Sequence, residues 1–220
     1  MLKSVRVPRQ FVLPFEKAEG FVEKLFADLV RRPDKGTIHV GGERYVLFRA
    51  ESLYLTWFDA MCETFGDEAA RDFIYSTARA IGRSDSDAFS ERLGVTDGVE
   101  RMSAGPIHFA HAGWAFVHIL EDSEPAPDDS FYLHYDHPNT FESETARARQ
   151  RALDRPGCIF SAGYSAGWCS SAFGVEVQGR EIRCISSGDP ACEFVMGPSD
   201  KLNSLEKRAR DSGSRAISSG

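Results

Sequence analysis

The placement of the cysteines is the feature of this sequence that most constrains its fold. The chain has five cysteines in 220 residues, and an odd number in a chain that we expect to be intracellular argues against a disulfide framework. Cys184 and Cys192 belong to two β-rich runs, residues 176–184 and 192–196. The loop between them, residues 186–191, contains a Gly-Asp-Pro sequence that is typical of a tight turn. A hairpin here would bring the two thiols close together.

Two further residues can join these thiols in a metal site. Glu181 lies three residues before Cys184 and reaches the same point if the strand curves or bulges. Cys158 begins a segment rich in small residues, 159–173, which the pattern predicts to be a closely packed helix. Zinc prefers thiolate and imidazole ligands, accepts carboxylate, and is four-coordinate in structural sites. The spacing alone leaves two interpretations open, zinc ligands or unreactive buried thiols with Glu181 in solvent, because the sequence lacks paired CxxC motifs.

The rest of the sequence mixes helical and strand patterns without regular alternation. In the first half, the predicted elements are helices over residues 15–32, 53–65 and 68–81, a β-hairpin of residues 37–40 and 44–48, and a polar stretch, 84–98, with a short helix and a loop. Gly82 is predicted to end the third helix. In the second half, they are strands over residues 114–120 and 131–137 and a helix over residues 140–152 capped by Asn139, followed by the helix and two strands named above. This mixture predicts the α+β class, with a mixed or antiparallel sheet packed against helices.

Charge and hydropathy exclude several classes of partner. A formal net charge of -7 argues against nucleic acid and against an anionic membrane surface as the main partner. The apolar stretches are shorter than the roughly 18 residues that a membrane-spanning helix needs. The apolar run at residues 11–13 is broken at Pro14, which is too short for a signal-peptide core. We therefore expect a cytoplasmic protein.

Four sequence motifs in the C-terminal half closely resemble one known family. They are Gly163-Tyr164-Ser165-Ala166-Gly167, Ser171-Ala172-Phe173-Gly174, Arg180-Glu181-Ile182-Arg183-Cys184 and Gly188-Asp189-Pro190-Ala191-Cys192-Glu193-Phe194. The chain resembles the 4-vinyl-reductase domain, and in particular the aromatic-sensing N-terminal domains of bacterial sigma-54-dependent activators that respond to phenol, toluene or xylene. The resemblance is specific over residues 131–198. It is weaker but collinear upstream, at residues 36–49 and at Gly105-Pro106.

The resemblance implies both a metal site and a ligand pocket. The implied zinc ligands, each on the family motif and in the same order, are Cys158, Glu181, Cys184 and Cys192. The family's effector pocket lies between the sheet and the small-residue helix. The implied pocket residues are Met102, Phe109, Tyr135, His137 and Trp168. Taken singly, each of these five side chains can also be an ordinary core residue.

Two pocket positions depart from the phenol-responsive pattern. Phe109 stands where those proteins carry a His that hydrogen-bonds the phenolic hydroxyl, and His137 replaces a Trp. A polar group that loses its buried partner costs roughly 1–3 kcal/mol, so such changes alter which ligand is accepted. We therefore expect phenol to bind poorly. A larger or differently polar aromatic, with His137 as its partner, is the expected ligand.

These observations predict a zinc-stabilised cytoplasmic sensor that binds a small aromatic or apolar effector and regulates an output domain, either beyond the C-terminus or on a partner protein. The predicted division is an N-terminal arm, helix and hairpin that mediates homodimerisation (1–50), a ligand-binding domain of the 4-vinyl-reductase type (51–198) and a linker or tail (199–220). The apolar stripe of the helix over residues 15–32 needs cover, which is the reason to expect a homodimer.

We predict no catalytic residue, and two other functions remain as alternatives. Residues 163–167 form a GxxxG pattern inside a helix rather than a phosphate-binding loop. A closed four-ligand zinc site also leaves no open position for chemistry. The alternatives are a tetrapyrrole-handling enzyme accessory protein of the 4-vinyl reductase type and a dimeric assembly module.

Overall fold

The computed structural model describes residues 2–151 and 155–217 of the chain. Its strands are β1 (Val5–Arg6), β2 (Leu29–Arg32), β3 (Thr37–Val40), β4 (Glu43–Tyr45), β5 (Val117–Ile119), β6 (Leu133–His137), β7 (Gln178–Arg183) and β8 (Cys192–Gly197). Its helices are α1 (Val12–Ala27), α2 (Trp57–Phe65), α3 (Asp67–Leu93), α4 (Gly98–Ala112), α5 (Phe141–Ala148), α6 (Ile159–Phe173) and α7 (Leu202–Ile217). The α+β class and a mixed sheet packed with helices are confirmed.

The main sheet has five strands in the order β1-β5-β6-β8-β7. The β1–β5 pair is parallel, and the other pairs of this sheet are antiparallel. One face of the sheet packs against α6, as shown by Gly179, whose missing side chain would meet Ala162. The other face packs against α7, through a small cluster in which Leu205 and Ala209 contact Tyr132. The strands between these layers therefore present alternate side chains to two different helices.

The helix α6 occupies the centre of the molecule and lies very close to α3. A Cβ atom at Gly82 on α3 would overlap the carbonyl oxygen of Tyr164, and one at Gly167 on α6 would overlap that of Arg79. The prediction of a helix end at Gly82 is wrong. The glycine sits in the middle of a 27-residue helix, because it allows two helix backbones to touch. The polar residues 84–93 continue the same helix, which ends where Gly94 adopts a positive φ of 66°.

The N-terminal helix is shorter than its apolar pattern suggested. It ends at Ala27, and residues 29–32, predicted as helix, form β2 in a three-stranded sheet with β3 and β4. Asp28 ends the helix, because its ψ of 37° lies outside the helical region. Leu29 then pairs with Val40, and this strand pairing outweighs the helical pattern of the local sequence. The predicted hairpin of residues 37–40 and 44–48 is present as β3 and β4, with the second strand shorter than expected.

The apolar stripe of α1 is covered within the chain. Phe15, Ala18 and Val22 are almost completely buried, and the helix packs against α4. This helix therefore needs no partner subunit to cover it, contrary to the reason that we gave for a homodimer. The exposed apolar side chains of this region are outside that stripe: Leu13 at the start of α1, two residues on β2, and residues 46–48.

Two other boundaries differ from the sequence analysis. The cap of α5 is Thr140 rather than Asn139, because its side chain accepts a hydrogen bond from the Glu142 amide at 3.2 Å. The helix predicted over residues 140–152 ends at Ala148, and residue 152 lies outside the described residues. The predicted linker or tail contains a regular helix, α7, which spans Leu202–Ile217. In the described ranges, no helix combines the length and apolar character needed to cross a membrane.

A candidate metal centre and an aromatic cavity

The four predicted metal ligands come from three separate parts of the fold. Cys158 immediately precedes α6, Glu181 lies in β7, Cys184 follows β7, and Cys192 begins β8. A regular strand would place Glu181 and Cys184 on opposite faces of the sheet, because they are an odd number of residues apart. The β7–β8 register shifts between Glu181 and Arg183, which inserts one extra residue, Ile182, and returns Cys184 to the face of Glu181. A curve or bulge in this strand was the condition for Glu181 to join the cysteines, and the bulge is present.

The turn after β7 holds the two hairpin thiols in place. Gly188 adopts a positive φ of 99°, and the carboxylate of Asp189 accepts a hydrogen bond from the Cys184 amide at 2.8 Å. The amide of Ile185 points at the sulfur of Cys192, 3.4 Å away. The Gly-Asp-Pro sequence thus fixes a tight turn that brings Cys184 and Cys192 together.

The donor atoms of Cys158, Glu181, Cys184 and Cys192 all lie within 4.8 Å of one another. The Sγ atoms of Cys158 and Cys192 are 3.5 Å apart, and those of Cys192 and Cys184 are 4.0 Å apart. Two thiolates bound to one tetrahedral zinc lie about 3.8 Å apart. The cluster therefore has the size and the donor chemistry of a four-coordinate zinc site.

The electrostatics of the cluster also suit a cation. One carboxylate oxygen of Glu181 accepts a hydrogen bond from the Cys158 amide at 2.7 Å, whereas the other, Oε1, is buried and has no hydrogen-bond partner in the described ranges. Burial raises the pKa of Glu181 to about 9 and holds the pKa of Cys158 well above its usual range. Hydrogen bonds from Cys158 and Cys192 lower the pKa of the Cys184 thiol. A divalent cation would stabilise the ionised form of all four groups.

A fifth residue, which the sequence analysis missed, positions Cys158. Glu142 on α5 is fully buried and accepts hydrogen bonds from the amides of Phe160 at 2.9 Å and Ser161 at 3.1 Å. It therefore caps the first turn of α6, whose own N-cap residue, Cys158, makes no side-chain cap. Burial raises the pKa of Glu142 to about 7. A local sequence pattern could not reveal this cap, because it comes from a different helix.

An apolar cavity lies between α4, α6 and the sheet. It is lined by Met102, Gly105, Pro106, Phe109, Val117, Ile119, Leu133, Tyr135, Tyr164, Ser165, Trp168 and Cys169. Four of the five predicted pocket residues are among them. Its volume is about 30 Å³, whereas an engineered cavity that binds benzene has about 150 Å³. An aromatic ring would therefore enter only if side chains of the wall move, and the flexible Met102 is suited to this.

The fifth predicted pocket residue, His137, does not line the cavity. Its ring is completely buried and packs against Phe109, Tyr135 and Phe194, with ring centroids 6.2, 5.4 and 4.7 Å away. Neither ring nitrogen has a hydrogen-bond partner among the residues described. Burial lowers the pKa of His137 to about 3, so the ring is neutral near pH 7.

His108 is a second buried histidine near the cavity. It lies on α4, where its Nδ1 is 3.2 Å from the hydroxyl of Tyr164, and that hydroxyl donates to Asp85 at 2.7 Å. Burial lowers the pKa of His108 to about 4. The helical spacing of Met102, Gly105 and Phe109 was the signal that could have identified this helix and its cavity-facing side.

Comparison with known proteins agrees with this geometry. Residues 138–198 match the family model of the 4-vinyl-reductase domain, and residues 24–122 match the family described as activator of aromatic catabolism. These two matches confirm the resemblance to the 4-vinyl-reductase domain and to the aromatic-sensing activators that was stated from the sequence. No curated protein matches the chain at a significant level.

Two solved structures resemble this chain to different degrees. The phenol-responsive sensory domain of the transcription activator PoxR, in complex with phenol, superposes with a TM-score of 0.73 at 19% sequence identity, over 90% of this chain and 96% of that one. A trafficking protein particle complex subunit 3 from Naegleria fowleri, covalently bound to palmitic acid, gives a TM-score of 0.44 at 13% identity, over 67% of this chain and 93% of that one. The PoxR domain thus shares the overall fold of this chain.

Proposed function

We propose that this protein is a cytoplasmic sensor that binds a small aromatic effector in the cavity between α4, α6 and the sheet, and that controls an output domain or partner protein. The observation that carries the proposal is the cavity itself. Met102, Phe109, Tyr135 and Trp168 come from three distant parts of the sequence and meet around one apolar space. Ligand sites are typically such cavities, with a few polar groups that fix orientation. The PoxR sensory domain, which binds phenol, shares the fold.

The direct test is calorimetric titration with a panel of substituted benzenes. Trp168→Leu should weaken binding of every ligand at least about tenfold, because the indole forms one wall of the cavity and packs against Gly105. Phe131→Leu is the matched control. Phe131 is equally buried but packs against Phe173, away from the cavity wall. Failure of all panel members to bind the unaltered protein would refute the proposal.

We further propose that Cys158, Glu181, Cys184 and Cys192 bind one structural zinc ion. The support is their compact geometry and the unpartnered Glu181 Oε1 atom, which has no hydrogen bond to any described residue. When bound, zinc would neutralise the ionised thiols and tie α6 to the β7–β8 hairpin. Four protein ligands fill a tetrahedral shell, which favours a structural site and a sensor over an enzyme.

Metal analysis of the purified protein tests this assignment. We expect about one zinc per chain, and Cys192→Ser should lose both the metal and cooperative folding, since structural zinc contributes folding free energy directly. Cys62→Ser is the control, because Cys62 lies outside the cluster on α2 and should leave the zinc content unchanged. A cooperatively folded wild-type protein without metal would contradict the proposal.

A further inference from the structure

Three unpaired polar atoms lie together on one strand beside the cavity. Among the described residues, the buried side-chain nitrogen and oxygen atoms without a hydrogen-bond partner include three on β6, namely the hydroxyl of Tyr135 and both ring nitrogens of His137. Buried polar groups are normally paired, and unpaired ones are a common mark of a site that expects a partner. These three atoms therefore need an explanation that the apolar cavity alone does not supply.

Tyr135 and His137 point to the same side of the sheet. They are two residues apart on β6, where they pair with Phe194 and Cys192 respectively, and their ring centroids are 5.4 Å apart. Tyr135 lines the cavity directly. Phe109, which also lines the cavity, lies between that space and His137. Rotation of the Phe109 ring would therefore both enlarge the small cavity and expose His137 to its contents.

The chemistry of the two side chains defines what they can recognise. The Tyr135 hydroxyl lies near Ser165 but makes no hydrogen bond of normal geometry with it. A neutral His137 ring offers one donor and one acceptor. The adjacent Phe109 and Phe194 rings cannot satisfy either of them. A ligand that meets both side chains must carry two groups that donate and accept hydrogen bonds, with an apolar body for the remaining wall.

We infer that Tyr135 and His137 bind the hydroxylated edge of the effector, so that the site selects a dihydroxybenzene over phenol and over an aromatic hydrocarbon. This inference rests on the proposed function and specifies its ligand class. The ring of the ligand packs against Trp168, Met102 and Ile119. One hydroxyl group pairs with Tyr135, and the second pairs with His137 after Phe109 has moved. Phenol satisfies only one of the two side chains, and toluene satisfies neither.

The test is titration of wild-type protein, Tyr135→Phe and His137→Leu with toluene, phenol, catechol and resorcinol. For the wild type, the better dihydroxybenzene should bind about tenfold more tightly than phenol, and phenol about tenfold more tightly than toluene, one factor for each hydrogen bond. Each variant should lose about tenfold in affinity for the dihydroxybenzene and keep its affinity for toluene. Tyr132→Phe is the control, because the Tyr132 hydroxyl pairs with Asp122 on the other face of the sheet.

Two further measurements separate recognition from a purely structural role. Without ligand, both variants should melt at or above the wild-type temperature, since each removes unpaired polar atoms, and their zinc content should equal that of the wild type. Toluene binding as tight as that of both dihydroxybenzenes, or selectivity that survives in both variants, overturns this inference and leaves the proposed function standing. Failure of every compound to bind the wild type overturns both.

Discussion

Glu142 is a buried carboxyl group on one helix that serves the first turn of another. It accepts hydrogen bonds from the amides of Phe160 and Ser161 and from the Ser161 hydroxyl, which lies 2.5 Å away. These two amides belong to the turn that follows Cys158, so Glu142 also determines where that thiol lies. The residue thus links the folding of α6 to the geometry of the candidate metal centre.

Replacing this carboxyl group should be costly. We expect Glu142→Ala to lower the free energy of unfolding by about 2–3 kcal/mol, because two helix amides and a hydroxyl lose their acceptor in a buried place. Chemical denaturation of metal-loaded protein measures this. Glu144→Ala is the matched control, since Glu144 lies on the same helix but is exposed, and its effect should stay within about 0.5 kcal/mol. Equal effects of the two substitutions would show that Glu142 does not act as a cap.

At the scale of elements, a charged histidine on β6 is linked to α7 through Asp122. His134 faces away from the cavity, because it is an odd number of residues from both Tyr135 and His137 on β6. Its Nδ1 lies 2.9 Å from Asp122 and its Nε2 lies 2.9 Å from Glu193. Burial opposes the charged form, but these two carboxylates raise the pKa of His134 to about 9. Arg208 on α7 donates to the Asp122 carbonyl and lies over the Tyr132 ring, which closes the contact.

This arrangement predicts a specific pH dependence of stability. A histidine whose folded pKa is raised stabilises the protein fully below its unfolded pKa of about 6.5 and loses that contribution as pH rises to about 9. We expect a loss of up to about 3 kcal/mol over this window, and His134→Gln should abolish it. Asp122 and Glu193 have lowered pKa values, because His134 pairs with them, so their own contribution is lost only in acid. Parallel pH profiles of wild type and His134→Gln in denaturation experiments would contradict this prediction.

Individual elements show how far local sequence could predict the fold. The spacing of small and aromatic residues predicted α6 at its observed bounds, and turn residues predicted the β7–β8 hairpin, because both signals are local. Gly82 was wrongly predicted to end a helix, because its role depends on the approach of α6 from a distant part of the chain. The end of α1 was misplaced for a similar reason, since strand pairing with β3 decided the conformation of residues 29–32. Contacts between distant segments are thus what the local pattern lacked.

The metal cluster and the cavity differ in the same way in how far the sequence could predict them. The metal cluster followed from the order and spacing of its ligands in a recognised motif, and the structure brings all four together. The cavity depends on the packing of α4 against α6, which places Phe109 in the wall and leaves His137 behind it. Neither His108 nor Glu142 has a local sequence signal for its burial, because their partners, Tyr164 and the amides of α6, lie far along the chain.

At the scale of the whole molecule, several exposed apolar side chains lie on and next to the N-terminal sheet of β2, β3 and β4. Val46, Leu47 and Phe48 are 64%, 70% and 67% exposed, and Leu29 and Val30 on β2 are 38% exposed. Large exposed apolar patches commonly mark protein interaction sites. We propose that this surface, rather than the stripe of α1, forms the homodimer contact that the sequence led us to expect.

Analytical sedimentation of the protein and its variants tests this homodimer contact. We expect a dimer at micromolar concentration, and the double substitution Leu47→Asp with Phe48→Asp should produce monomers, because buried carboxylates oppose the apolar contact. Leu13→Asp provides the control, since Leu13 is 78% exposed on α1, away from this surface, and should leave the dimer intact. A wild-type monomer, or a dimer that resists the double substitution, would rule out this interface.

The two faces of β6 have a thermodynamic consequence for the whole protein. Tyr135 lines the cavity, and its neighbour His134 is linked to α7 through Asp122, so one short strand adjoins both environments. If ligand entry displaces this strand, the ligand shifts the balance between docked and released forms of α7. Linkage then requires the reverse effect with the same coupling free energy. A domain or partner that binds the released form of α7 would change the affinity for the effector. The effector would change the docking equilibrium of α7 by the same factor.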